Sequence, residues 1–209
     1  MTPPSAPLCV ARRLCFGWPG QALFTNLSFS IKPGLTLVLG GDGRGKTSLL
    51  RLLGGEIAPT GGSLLRQAGV ACLADLNDPA LDTITPRDWL AQQQRRWPTW
   101  DAAAADAAID ALSLAPHLDK SLAMLSTGSR RKPGLVAALA SGAALTLLDQ
   151  PYAALDLASR RWLDECLLAA ATCARRAWVL ADHALPAGLV DLPLAGLIDL
   201  GPIHPDAAA

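Results

Sequence analysis

The sequence predicts an α/β domain with a mainly parallel sheet, on three observations. Short apolar runs alternate with alanine- and leucine-rich helical stretches, the rhythm of parallel strands joined by crossover helices. One such run, residues 35–39 (LTLVL), passes straight into a glycine-rich turn and then into a helical stretch. The 209 residues are 51% hydrophobic but only 5% aromatic, so an aliphatic core of one domain can be buried and a disordered chain is excluded.

Each element follows from its own pattern. Residues 22–31 (ALFTNLSFSI) alternate with period two after Trp18-Pro19-Gly20 and read as strand, and residues 35–39 read as a buried strand. Residues 47–53 restart as helix, and residues 144–148 and 178–181 (WVLA) are two more buried strands. Residues 86–123 are tryptophan- and alanine-rich and helical, broken at Pro98 and Pro116. The expected organisation is one domain over 8–204: a core lobe of 8–85 and 134–204, a helical lobe of 86–133, and flexible ends at 1–7 and 205–209.

Charge and cysteines exclude several classes. Eighteen basic and eighteen acidic side chains cancel, which gives no general attraction to nucleic acid or anionic lipid, so no nucleic-acid partner is expected. The longest apolar stretch, 135–148, is short of a membrane span and is interrupted by Ser141, Gly142 and Thr146. The N-terminus has prolines and no apolar run, so it does not read as a secretory signal. Cys9, Cys15, Cys72, Cys166 and Cys173 form no CxxC pair and read as reduced, mostly buried thiols, with Cys166 and Cys173 on one face of a helix. His117, His183 and His204 are too far apart to suggest a ligand pair.

The chemistry begins at Gly40-Gly41-Asp42-Gly43-Arg44-Gly45-Lys46-Thr47, which fits G-x-x-x-x-G-K-[ST] between a strand and a helix. Glycines let backbone N–H groups wrap phosphate oxygens, and the following helix adds the positive end of its dipole. Lys46 is the candidate for neutralising the β- and γ-phosphates, and the Thr47 hydroxyl for ligating Mg²⁺, with Ser48 beside it. A dinucleotide-binding loop would need different glycine spacing and leaves Lys46-Thr47 unexplained. Strand 145–148 then ends in Asp149, a carboxylate suited to hold a Mg²⁺-bound water, or otherwise one that merely caps a turn.

Further motifs in order give the chain a family resemblance. Leu125-Ser126-Thr127-Gly128-Ser129, followed by Arg130-Arg131-Lys132, resembles the signature of ATP-binding cassette (ABC) ATPases and precedes Asp149 by about twenty residues. Ala154-Leu155-Asp156 resembles their D-loop, Ala181-Asp182-His183 their switch histidine, and Trp18 the aromatic that stacks on adenine. The resemblance implies a P-loop ATPase fold and two cassettes closing head to tail on two ATP molecules. Ser126 and Gly128 would then reach the γ-phosphate held by the partner, with Asp156 at the same interface and His183 stabilising the transition state. A separate membrane permease would be the other partner, and the chain would sit at the cytoplasmic face of the cell membrane. Trp89, Trp97 and Trp100 read as lobe packing, or as part of a groove that receives the permease. Only about eighty residues separate Lys46 from Ser126. That compactness is similar to the haem-export cassettes of cytochrome c maturation, and other short exporter cassettes fit equally.

Three departures from the family pattern bear on turnover. Gln150 stands where the family has the glutamate that polarises water; an amide orients water but cannot take its proton. The segment Leu73-Ala74-Asp75 leaves Asp75 as the polar candidate for a Mg²⁺ contact. Thr127 and Ser129 replace signature residues, and Pro133 is expected to be tolerated only within the first turn of its helix. Gln150 fits natural divergence, favoured because Asp75 and Thr127 depart independently, or a substitution that traps the ATP-bound pair. ATP binding with low turnover is the expectation. The alternative function is a nucleotide-gated regulatory protein with little ATPase activity.

Overall fold

The computed structural model describes residues 6–66, 69–72 and 74–201. Strands β1 (Cys9–Trp18) and β2 (Gln21–Ile31) form an antiparallel hairpin turning at Pro19-Gly20. Strand β3 (Gly34–Leu39) leads through the glycine-rich loop to helix α1 (Lys46–Gly54). Strand β4 (Gly61–Arg66) returns to pair antiparallel with β1, and β5 (Val70–Cys72) starts the second sheet. Helices α2 (Pro86–Arg96), α3 (Ala102–Ala111) and α4 (Thr127–Ala140) follow. The chain then runs through β6 (Leu145–Asp149), α5 (Leu157–Ala171), β7 (Ala177–Asp182) and β8 (Gly196–Asp199).

The five-stranded sheet, in order β5-β6-β7-β3-β8, is parallel throughout, as expected. The strand predicted at 22–31 is present but belongs to a separate antiparallel sheet of order β2-β1-β4. Strands β1, β4, β5 and β8 escape the sequence reading. In β1 the pair Arg12-Arg13 breaks the alternation where the register shifts, and Arg13 adopts a left-handed φ of 47°.

Period two along the central strands divides two cores. Leu35, Leu37, Leu148, Trp178 and Leu180 face α4, α5 and the helical segment, where they pack with Trp89, Leu112 and Leu135. Val38, Leu145, Leu147, Val179 and Ala181 face the opposite way, onto α1 and the antiparallel sheet. Because all five strands run in one direction, the ends of β3, β6 and β7 bring the glycine loop, Asp149 and His183 to one edge, the usual place for a ligand in such a sheet.

The thiols differ from expectation. Cys9 is buried, and burial pushes its pKa up to about 11. Cys15, Cys166 and Cys173 are only half-buried. Cys173 does not share a helix face with Cys166, because α5 ends at Ala171. His204 and Leu73 lie outside the described residues, as do 1–5 and 202–209.

Candidate nucleotide site

Helix N-termini show where an anion would fit. Thr85, Asp101, Ser126 and Asp156 cap α2, α3, α4 and α5 with side-chain oxygens that accept backbone N–H bonds. Helix α1 has no such cap: Gly45 stands at its start with φ +90°. A Cβ there would press on Leu23 and Phe24 at 3.2–3.3 Å, so glycine is required twice over, for conformation and for space. The first N–H groups of α1 are therefore left for an external acceptor.

A cavity of about 310 Å³ opens there, lined by the segment from Asp42 to Ser48 together with Trp18, Gln21, Leu23 and Gln150. Trp18 sits at the rim, 46% exposed and in a T-shaped contact with Phe16 at 5.3 Å, an aromatic placed where a base could stack. Arg44 turns away, donating from Nε to Leu200 O at 2.8 Å, so its side chain braces the loop against the end of β8 while its backbone lines the cavity. Gly40 and Gly41 supply the acceptors for Lys46, whose Nζ donates to their carbonyls at 2.7 and 2.9 Å. At 5% exposure that ammonium needs such partners, and phosphate oxygens can replace them.

The second half of the site comes from β6 and β7. Thr47 donates from Oγ1 to Asp149 Oδ2 at 2.6 Å. Asp149 Oδ1 is buried with no protein partner, a state that costs about 1–3 kcal/mol unless a ligand or water fills it. A hydroxyl and a carboxylate with a free oxygen, beside an anion cradle, fit Mg²⁺, which takes few protein ligands and completes its shell with phosphate and water. Asp75 lies on a groove that also includes Thr47 and Asp149, but its Oδ1 accepts from the backbone and side chain of Asn77 at 3.0 and 2.8 Å. No cluster of three or more His, Cys, Asp or Glu exists among the described residues, so these few oxygens would act with the phosphates and not as a protein cage.

His183, just past β7, joins the two halves. Its Nδ1 lies 3.5 Å from Lys46 Nζ and 3.4 Å from Asp42 Oδ1, and its Nε2 lies 3.1 Å from Gln150 Nε2. If the Gln150 amide nitrogen donates, imidazole Nε2 accepts and Nδ1–H faces Asp42. With the amide turned, Oε1 accepts from Nε2–H and Nδ1 offers its lone pair to Lys46. A neutral ring satisfies either arrangement, and only an amide permits both.

Ser126, Gly128 and Asp156 form a second group. Ser126 caps α4 through Ser129 N at 3.2 Å. Gly128 lies against the 154–156 segment so closely that a Cβ would sit 2.3 Å from Ala154 O. Asp156 uses both oxygens within the chain: Oδ1 accepts from Ser159 N and Oδ2 from Lys132 Nζ, both at 2.8 Å. The Lys132 and Ser159 donors hold its carboxyl well below the usual carboxylate range. Pro133 corrects an expectation: it is the seventh residue of α4, beyond the first turn, and the helix runs on through it. Sequence reasoning quoted Arg130, Arg131 and Lys132 but gave them no role; all three are engaged at this site.

Comparison with known proteins agrees with this geometry. Residues 24–153, more than half the chain, match the family model described as ABC transporter. The chain belongs to the ABC transporter family. It is 34% identical over 214 residues to the cytochrome c biogenesis ATP-binding export protein CcmA of Pseudomonas syringae pv. syringae, covering 91% of this chain and 97% of that one. It is also 34% identical over 168 residues to the protein of that name from Hyphomonas neptunium, covering 80% and 86%. Among solved structures, the ATP binding subunit of an ABC transporter superposes with TM-score 0.73 at 18% identity, over 85% of this chain and 80% of that one. The protein cbiO1 from Clostridium perfringens, part of the ABC transporter complex cbiONQ, gives 0.64 at 18%, over 85% and 79%. At that identity the structures speak to the fold alone. As a member, this ABC cassette is an ATP-binding protein and an ATPase of the type that couples hydrolysis to transport. No helix among its described residues is long and apolar enough to cross a membrane.

Proposed function

We propose that this cassette drives a transporter whose membrane part is a separate permease, working as one of two cassettes that close head to tail on ATP and Mg²⁺. The observation that carries the reading is the convergence of Lys46, Thr47, Asp149, Gln150 and His183 on the start of α1, which among the described α-helices alone lacks a side-chain cap. In this reading Lys46 and the loop 40–48 bind the phosphates, Trp18 stacks on the base, and Thr47 with Asp149 and Asp75 serves the metal. The metal would supply charge neutralisation at the phosphates. Gln150 orients the attacking water and His183 contacts the γ-phosphate, while Ser126, Gly128 and Asp156 face the partner's nucleotide. The domain runs over 8–204, with 86–133 as its helical lobe.

A groove of about 710 Å³ supports the permease as partner. It is lined by Thr47 and Asp149, by the α2 residues Trp89, Gln93 and Arg96 with Trp97, and by Arg51 and Glu56. Aromatic and arginine side chains are frequent anchors at interfaces. A cytoplasmic position at the membrane face follows from such docking. The relatives named for cytochrome c biogenesis export support haem, or another small molecule of that process, as cargo. Calorimetric titration with ATP and Mg²⁺ tests the core of the reading, and co-purification with a multi-span protein encoded beside this chain tests the transporter role. No heat with ATP, or no such partner, overturns the corresponding half.

One observation favours a second reading. Gln150 presents His183 with an amide, and an amide at that position cannot take the water's proton. A nucleotide-gated regulator would dimerise on ATP without releasing phosphate, and light scattering paired with a phosphate assay separates the two.

A further inference from the structure

The basic run after the signature carries an inference that deepens the paired-cassette reading and rests on it. Arg130, Arg131 and Lys132 are consecutive on α4, so their side chains leave the helix about 100° apart. Each reaches a different part of the site. Arg130, whose side chain is 13% exposed, donates to Leu76 O from Nε at 2.9 Å and Nη2 at 2.6 Å, and to Asp82 Oδ1 at 2.8 Å. Arg131 Nη2 donates to the carbonyls of Asp149 and Gln150 at 2.8 and 2.7 Å. Lys132 Nζ donates to Leu112 O and Asp156 Oδ2, both at 2.8 Å.

Five of these seven bonds end on backbone carbonyls, which fix chain position more than they neutralise charge. They also lie where the helix backbone is weakest. Pro133 has no N–H to give the carbonyl of Ser129, and Gly134 follows it, both inside the stretch 132–140 that is buried throughout. The opening turn of α4, with Ser126 at its cap and Gly128, thus continues into the rest of the helix through a segment that lacks one backbone hydrogen bond. Three differently directed anchors resist both rolling and sliding of that segment. Arg131 leaves its buried Nε without a partner while holding the two carbonyls, a cost expected where position matters.

We propose that Arg130, Arg131 and Lys132 are positioning residues, which set the signature turn of α4 against three parts of the chain's own site: the loop after Asp75, the strand end at Asp149-Gln150, and Asp156. Through them, the turn that faces one nucleotide is registered to the residues that act on the other.

The test uses the full chain as wild type, Arg131→Met, Arg131→Lys, Arg130→Met and a control, Ser126→Arg. Binding of a fluorescent ATP analogue to the monomer should stay within about twofold in the arginine variants, since none touches the cradle. ATP-driven dimerisation by light scattering should weaken about tenfold in Arg131→Met and Arg130→Met, and kcat should fall about tenfold with KM little changed. Arg131→Lys, which keeps a donor for the two carbonyls, should recover part of both. Dimerisation and kcat at wild-type levels in both methionine variants, or losses that merely track Tm and monomer binding, overturn the proposal. If Ser126→Arg abolishes dimerisation in that same series, the paired-cassette reading survives that failure. If Ser126→Arg dimerises normally, that reading itself falls.

Discussion

In the proposed reading two helix starts in this molecule receive phosphate, and they are made differently. At α1 the anion site is backbone: a left-handed glycine, no capping side chain, and a lysine folded back onto the loop carbonyls. At α4 the start is capped by its own serine, and its placement comes from side chains that reach the loop after Asp75, the end of β6 and the start of α5. The first construction tolerates almost no change of residue. The second carries Thr127, Ser129 and Pro133, and in the proposed reading what sets its position lies outside the motif. The difference teaches that a motif can drift where its geometry is held by neighbours, and cannot where the backbone itself is the ligand.

The largest effect that would break the contrast is at Lys46. Lys46→Ala should weaken ATP binding by at least about 10²-fold in equilibrium titration, since a charge-assisted phosphate contact in a water-poor site is lost. An affinity close to wild type would mean that the α1 start is not the anion site. Gln150→Glu comes next: a carboxylate base is worth about 10²–10⁴-fold, so phosphate release should rise by about 10²-fold if only the base is missing. No gain would move the defect to Asp75 or to the α4 end.

Gly128→Ala sharpens the comparison from the other side. Its Cβ would meet Ala154 O, so α4 and the 154–156 segment must part, at about 1–3 kcal/mol of stability read by denaturant unfolding. Asp156→Asn keeps a capping oxygen but removes the charge that faces Lys132. Because the folded carboxyl is held below its unfolded value, its contribution is full above the unfolded pKa of about 4 and is lost as pH falls through the folded value. Tm against pH should therefore drop less steeply on acidification in Asp156→Asn than in wild type. The smallest effect is Trp18→Ala, where loss of one stacking face should weaken ATP binding about fivefold, near 1 kcal/mol.

Legibility followed the same division. Residues 40–47 were readable because glycine spacing, lysine and threonine report backbone chemistry directly. Strands 35–39, 144–148 and 178–181 were readable because burial on both faces leaves continuous apolar runs. The hairpin partner β1 was hidden, since its bulges place Arg12-Arg13 mid-strand, and β4 and β8 are short with few apolar residues. Arg130, Arg131 and Lys132 carried no role in the sequence. Only tertiary structure brings Leu76, Asp149 and Asp156 to them, because those acceptors are 54, 18 and 24 residues away.

Gln150 itself has a left-handed backbone, φ 43°, its N–H held by Ala181 O at 2.9 Å. An L-residue there gives up about 1–2 kcal/mol relative to an ordinary conformation. In a library of all substitutions at this position, folded abundance and catalytic output should consequently rank in opposed orders. Glycine and asparagine would accumulate best while doing little chemistry, valine and isoleucine would be depleted before any assay of function, and the useful acidic variant would be selected against its own fold.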